Sequence, residues 1–80
     1  MIKCIGSAEL PGVYLRYYVF GNRRSGYGIR IAKANEECTQ YVSKNLLKVL
    51  DLARKLRRCT VFPYNLREII DDLQFPADPN

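Results

Sequence analysis

The chain of 80 residues contains no histidine, and its three cysteines (Cys4, Cys38 and Cys59) stand far apart with no CxxC spacing. Without histidine, acid–base chemistry would fall to carboxylates, lysine or cysteine. Three scattered thiolates lack the fourth ligand that zinc takes, so we expect buried structural cysteines and no metal site. The odd number of cysteines favours reduced thiols in a cytoplasm.

Catalytic and cofactor motifs are missing as well. Asp71 and Asp72 are adjacent, so they diverge by about 100° on a helix and form no carboxylate pair. Cys59 follows two arginines and is expected to pack at a helix end. Gly26 and Gly28 belong to a strand and not to a phosphate-binding glycine run. We therefore expect a protein that is not an enzyme, with no cofactor and no small-molecule substrate.

The length and the N-terminus predict one small domain in the cytoplasm. Few apolar residues precede Gly6, so neither a secretory signal nor a membrane span is expected. Eighty residues suffice for a single domain, and no repeat or linker divides them. We expect mainly strands over residues 1–42, mainly helices over 43–75 and a frayed tail over 76–80.

The net charge of +5 is unevenly distributed. Residues 1–58 carry a net charge of +8, and residues 59–80 carry −3. A basic body with an acidic end suits either an anionic partner or a second copy of the same chain.

Two strands with strict alternation, residues 13–20 and 27–33, are the most informative segment. Side chains of a strand point alternately to opposite faces. One face of this pair is apolar and carries Val13, Leu15, Tyr17, Val19, Tyr27, Ile29 and Ile31. The other face carries Tyr14, Arg16, Tyr18, Phe20, Gly28, Arg30 and Ala32.

The register of this hairpin follows from its side-chain pairs. One register sets Arg16 against Arg30, and such a pair of like charges is destabilising. The next sets Tyr18 against Arg30, a cation–π pair, and Phe20 against Gly28, where an aromatic ring covers a bare glycine. The second register is therefore predicted.

The remaining elements complete an α+β fold. A short first strand over residues 2–5 is broken by Gly6 and Ser7, a turn covers residues 35–37, and a third strand covers 38–42. Ser43 is the expected N-cap of a helix that runs to Arg58, and Asn65 is the expected cap of a second helix. Strands followed by helices predict a three- to four-stranded antiparallel sheet with both helices packed on one face.

The chain resembles a family of small, uncharacterised proteins from Firmicute bacteria from Tyr17 onward, over some 55 residues. The residues that carry the resemblance are Tyr27-Gly28-Ile29-Arg30-Ile31, Tyr41-Val42-Ser43, Pro63 with Leu66, and Ile69-Ile70-Asp71-Asp72-Leu73. The family is a domain of unknown function, so the resemblance implies a bacterial cytoplasmic protein and no particular activity.

The second sheet face is the candidate binding surface, with Tyr14, Arg16, Tyr18, Phe20 and Arg30 as its expected partner-binding residues. Tyrosine and arginine are enriched in interface hot spots. Residues 1–10 or the C-terminal tail could cover this face, as could a second copy or a foreign protein. The leading hypothesis is a homodimer or adaptor that associates through this face.

Binding of single-stranded RNA or DNA is the competing hypothesis. Aromatic side chains on a sheet stack on unpaired bases, and Arg23 and Arg24 at the hairpin tip would contact phosphates. The RRM signature and its β-α-β order are absent, and basic loop tips are common on ordinary protein surfaces. The predicted pairing of Tyr18 with Arg30 and of Phe20 with Gly28 gives a structural reason for part of this composition, which lowers the case for nucleic acid.

Overall fold

The fold, seen in a computed structural model that describes residues 1–73, is a four-stranded antiparallel sheet followed by two helices. The elements in chain order are β1 (Ile2–Leu10), β2 (Val13–Asn22), β3 (Gly26–Lys33), β4 (Glu36–Ser43), α1 (Leu46–Arg58) and α2 (Pro63–Leu73). The strands lie side by side in the order β1-β2-β3-β4. The predicted α+β class is confirmed. The frayed tail predicted over residues 76–80 lies outside the described residues.

Both helices pack on one face of the sheet. Helix α1 contacts all four strands, and α2 contacts β3 and β4. The buried core unites the apolar face of the hairpin with the inner sides of the helices: Leu15, Tyr17, Val19, Tyr27, Ile29, Ile31, Val42, Val49, Leu52, Ala53, Leu56 and Leu66. Within residues 1–73, no helix is long and apolar enough to cross a membrane.

The register of the β2–β3 hairpin is the predicted one. Tyr18 pairs with Arg30, and Phe20 pairs with Gly28. The Arg30 Cζ atom lies 5.3 Å from the centroid of the Tyr18 ring. The pairing keeps all predicted core residues of both strands on the helix-covered face.

Strand β1 is longer than the sequence suggested, because Gly6 and Ser7 do not end it. The register of β1 against β2 shifts between Cys4 and Gly6, which marks a β-bulge, and the strand then continues to Leu10. Gly6 has a φ of +154°, and a Cβ atom there would lie 2.5 Å from Nε of Arg57. The bulge thus accommodates one extra residue beside Gly6, and the strand continues on both sides of it.

Strand β4 begins earlier than predicted. The turn lies at Ala34 and Asn35, and Lys33 pairs with Glu36 across it. Ala34 has a positive φ of 44°, as the first position of a two-residue hairpin loop often does. Glu36 and Glu37 are therefore strand residues and not part of the turn.

Both predicted helix caps are wrong, by two residues for α1 and by three for α2. Helix α1 is capped by Asn45, whose Oδ1 accepts a hydrogen bond from the Lys48 backbone N–H at 3.3 Å. The Ser43 hydroxyl oxygen instead accepts from the Asn45 backbone N–H at 3.0 Å. Helix α2 starts at Pro63 and not after Asn65, since proline suits the first helical position, where its missing N–H costs nothing.

A buried tyrosine ties the sheet to the segment between the helices. The Tyr17 hydroxyl donates a hydrogen bond to the carbonyl oxygen of Val61 at 2.9 Å. Burial raises the pKa of Tyr17 above its ordinary value, an effect that the nearby charge of Arg57 opposes and that Cys59 reinforces. Cys59 itself is exposed at the end of α1, and Cys4 is exposed on β1, so the expectation of buried cysteines is wrong for both.

Candidate functional site

The sheet face opposite the helices carries three cross-strand rows of side chains. Residues that pair directly across antiparallel strands share a face, so each row can be followed from β1 to β4. We name this surface the open face. The aromatic row is Ile2, Phe20, Gly28 and Tyr41; the central row is Cys4, Tyr18, Arg30 and Thr39; the charged row is Ser7, Arg16, Ala32 and Glu37.

Glycines form the floor of the aromatic row. A Cβ atom on Gly28 would lie 2.5 Å from Cζ of Phe20, and a Cβ atom on Gly26 would lie 2.9 Å from the hydroxyl oxygen of Tyr41. The Phe20 ring therefore packs closely over the backbone of Gly28, and the Tyr41 ring over that of Gly26. Ile2, at the outer end of this row, is 60% exposed. The result is a flat apolar surface at one end of the sheet.

The central row holds a stacked arginine. The guanidinium of Arg30 lies over the Tyr18 ring, and both side chains are half-buried. Nε of Arg30 is shielded from solvent and has no hydrogen-bond partner within the described part of the chain. An unpartnered buried donor is costly, so the ring contact and packing hold this side chain in place.

The charged row gives the open face both signs of charge. Arg16 on β2 and Glu37 on β4 are exposed, and Ala32 lies between them on β3. The two described ion pairs are elsewhere, between Lys33 and Glu36 at 3.7 Å and between Lys55 and Asp51. Arg16 and Glu37 therefore lie in solvent with their charges available to a partner.

The five predicted partner-binding residues do share this face, but they differ in exposure. Tyr14, at 53%, and Arg16 are exposed, whereas Tyr18, Phe20 and Arg30 are half-buried. Two of the three aromatic side chains in this set are therefore only partly accessible to a partner. Tyr18 is partly covered by Arg30, and Phe20 packs down on Gly28.

Sequence reasoning missed two apolar residues of the open face, Ile2 and Tyr41. Tyr41 is 50% exposed and pairs directly with Gly28. A two-residue hairpin loop at Ala34 and Asn35 would have fixed the register of β4 and placed Tyr41 beside the glycines. Ile2 was predicted to lie in a short first strand, but the strand that pairs with it was not predicted.

The tip of the β2–β3 hairpin lies at the aromatic end of the open face. Arg23 and Arg24 follow directly on the pair formed by Asn22 and Gly26, and both are exposed. The Asn22 side chain accepts a hydrogen bond from the Ser25 backbone N–H at 2.7 Å, which shapes this loop. The two arginines thus lie beyond the row that contains Phe20.

One possible cover of the open face is excluded by the course of β1. Residues 1–10 were one expected cover, but Ile2–Leu10 is an edge strand in the plane of the sheet. Its position is fixed at Ser7, whose carbonyl oxygen accepts a hydrogen bond from Arg57 Nε at 3.0 Å. The tail, as an alternative cover, lies outside the described residues.

Open grooves lie beside the helices. An open groove of about 560 Å³ runs between the β3–β4 turn and the start of α2, lined in part by Glu37, Pro63 and Tyr64. A second groove of about 380 Å³ lies along α2 beside Asp71 and Asp72. Among residues 1–73, no three histidine, cysteine or acidic side chains converge on a metal site.

Comparison with known proteins identifies a family and nothing closer. The model of the family of unknown function DUF6514 matches residues 7–74. No curated protein and no solved structure gives a match. The matched segment starts in β1 and includes every later strand and both helices. The chain therefore belongs to the DUF6514 family of unknown function.

Proposed function

We propose that this protein is a non-catalytic association module that binds another protein surface through its open face. The observation that carries the proposal is a sheet face with exposed apolar side chains that no described element covers. Ile2, Tyr14 and Tyr41 are each at least half exposed on this face. Ile2 and Tyr41 are joined across the sheet by the half-buried Phe20, and an exposed apolar row of this kind marks interaction sites in small proteins.

The shape and chemistry of the face support a protein partner. Phe20 and Tyr41 lie flat on glycines, so the surface is level enough to pack against a second sheet. Arg16 and Glu37 add charges of opposite sign, and mixed charges of this kind select a register between partners. The odd number of cysteines in the protein and the family resemblance favour a bacterial cytoplasm as its place of action.

Self-association is the first outcome to measure. Light scattering or sedimentation velocity should show dimers of the wild type at high micromolar concentration. The double variant Ile2→Ser with Tyr14→Ser should weaken the dimer about tenfold or more, since loss of about 1.4 kcal/mol of binding energy is tenfold in Kd. Both side chains are largely in solvent, so thermal stability should change little.

The matched control is Tyr64→Ser, because Tyr64 is 71% exposed but lies on α2. It should leave the dimer unchanged. A wild type that stays monomeric at high micromolar concentration would rule out self-association. A foreign partner would then be expected to copurify with the wild type and to be lost with the double variant.

Single-stranded nucleic acid is the second candidate ligand, and one observation favours it. The exposed arginines at positions 23 and 24 extend from the aromatic end of the open face. Bases stacked on Phe20 and Tyr41 would bring their phosphates near this loop.

The test is fluorescence anisotropy with mixed-sequence RNA and DNA oligonucleotides at low and moderate salt. Binding should weaken steeply with salt and fall further in Arg23→Ala with Arg24→Ala. Lys48→Ala with Arg54→Ala is a charge-matched control on α1. Absence of binding at low salt would eliminate this candidate.

A further inference from the structure

We infer that the occupant of the open face is a second copy of this chain, placed by a two-fold axis that runs nearly parallel to the strands. The inference rests on the proposed function and specifies the partner and its orientation. It follows from the distribution of apolar and charged residues over the rows of the face.

The size of the open face is of the order that a specific dimer needs. Four strands at about 4.8 Å spacing, with about eight residues each at 3.3 Å, give a face of roughly 20 by 25 Å. Side chains that stand up from this face add accessible area to its flat area of roughly 500 Å². Specific interfaces take about 800 Å² per partner.

Symmetry leaves two aligned arrangements. Two sheets that pack face to face keep their strands within about 30° of each other, so an in-plane two-fold axis lies near the strand direction or across it. Orthogonal packing is set aside, since it usually depends on strands that pass from one sheet into the other.

An axis along the strands keeps each row over the same row of the partner and reverses the strand order. The aromatic row then buries its apolar side chains against those of the second copy, with Ile2 opposite Tyr41. In the central row, the Arg30 guanidinium lies between its own Tyr18 ring and that of the second copy. Aromatic faces on both sides of the guanidinium attract the cation and offset part of the cost of removing it from water.

The charged rows are complementary in the same arrangement. Arg16 faces Ala32 of the second copy, and this small side chain leaves room for it beside the second copy's Glu37. Two such pairs form across the axis. They offset part of the repulsion between two chains that each carry a net charge of +5.

An axis across the strands lacks these advantages. It places each strand over the same strand of the second copy and reverses the order of the rows. The aromatic row therefore faces the charged row of the second copy. Phe20 would then be buried against charged side chains. Arg16 and Glu37 would lose solvent without gaining each other, and burying unpaired charge is costly.

Crosslinking between single-thiol proteins distinguishes the two axes. One protein keeps Cys4 as its only thiol, through Cys38→Ala and Cys59→Ser. A second lacks all three native thiols and carries Thr39→Cys in their place. The first protein is treated with a short bismaleimide either alone, as a pair of Cys4 proteins, or mixed with the second, after thermal melts have confirmed that both fold.

An axis along the strands sets Cys4 opposite position 39 of the second copy, whereas an axis across them leaves the central row over itself and sets Cys4 opposite Cys4 of the second copy. We expect the pair with Thr39→Cys to crosslink about tenfold faster or more, because opposed thiols react at a millimolar effective concentration. Faster crosslinking of the pair of Cys4 proteins would overturn the inference and leave the proposed association intact. Failure of the wild type to self-associate would overturn this inference, and the absence of any copurifying protein partner as well would overturn the proposed function.

A charge exchange gives an independent readout without cysteine substitutions. Arg16→Glu and Glu37→Arg should each weaken the dimer severalfold, and the double variant should restore it. Both residues are exposed, so the single variants are expected to fold. Two weakened single variants without restoration in the double variant would contradict the axis along the strands.

Discussion

Replacement of Tyr17 by phenylalanine tests how the sheet is joined to the helical layer. Tyr17 is fully buried, and its hydroxyl donates to the Val61 carbonyl at 2.9 Å. Phenylalanine keeps the ring but removes this hydrogen bond and leaves a partly buried carbonyl without its donor. The expected loss in the free energy of unfolding is about 1–2 kcal/mol at neutral pH.

The pH dependence of this difference provides a sharper check. Because burial raises the pKa of Tyr17 in the folded state, the unfolded chain loses the phenolic proton first as the pH rises above about 10. The folded wild type retains that proton and loses stability by up to about 1.4 kcal/mol per pH unit. The variant has no such group, so its disadvantage should shrink as the pH rises above about 10.

Urea unfolding of both proteins between about pH 8 and pH 11 measures this difference directly. The other tyrosines and the lysines are common to both proteins, so their titration cancels. Tyr64→Phe serves as control, since this side chain is 71% exposed, and it should change stability by less than about 0.5 kcal/mol at any pH. A stability difference for Tyr17→Phe that stays constant up to pH 11 would refute the reasoning.

Three further substitutions probe the features that position the open face. Gly28→Ala should lower the free energy of unfolding by about 1–3 kcal/mol in thermal melts, because the added Cβ meets the β4 backbone and the Phe20 ring. Arg57→Ala removes the hydrogen bond to the Ser7 carbonyl, so amide hydrogen exchange should accelerate in β1 and stay unchanged in β3. Asn45→Ala removes the cap of α1 and should cost about 1 kcal/mol in urea unfolding, whereas Asn45→Ser should retain most of the stability.

The hairpin could be predicted in detail because its information is local to two strands. Alternation sorted the faces, and the cost of opposing Arg16 to Arg30 selected the register that the structure shows. The fold class followed from the order of the elements. These inferences needed no knowledge of distant contacts.

The errors occurred where a distant residue decides the local structure. Gly6 suggested a strand end, but Arg57, near the C-terminal end of α1, packs over this glycine. The Arg57 side chain also donates a hydrogen bond to the Ser7 carbonyl oxygen, so the chain continues as a strand beyond the bulge. Ala34 adopts a positive φ with no glycine in the turn, so the β3–β4 loop and the register of Tyr41 could not be recognised from turn chemistry. The packing of Phe20 and Tyr41 likewise depended on which glycine lay beneath each ring.

The structure changes which side chains of the open face are expected to contribute to binding. Tyr18 and Phe20 are half-buried in pairs with Arg30 and Gly28, so part of their apolar area is already removed from water in the monomer. Their substitution would therefore lower fold stability together with binding. Ile2 and Tyr14 remain at least half exposed, and a partner that covers them removes more area from water per side chain. Binding energy should accordingly concentrate at the rim of the open face, while its centre keeps the surface flat.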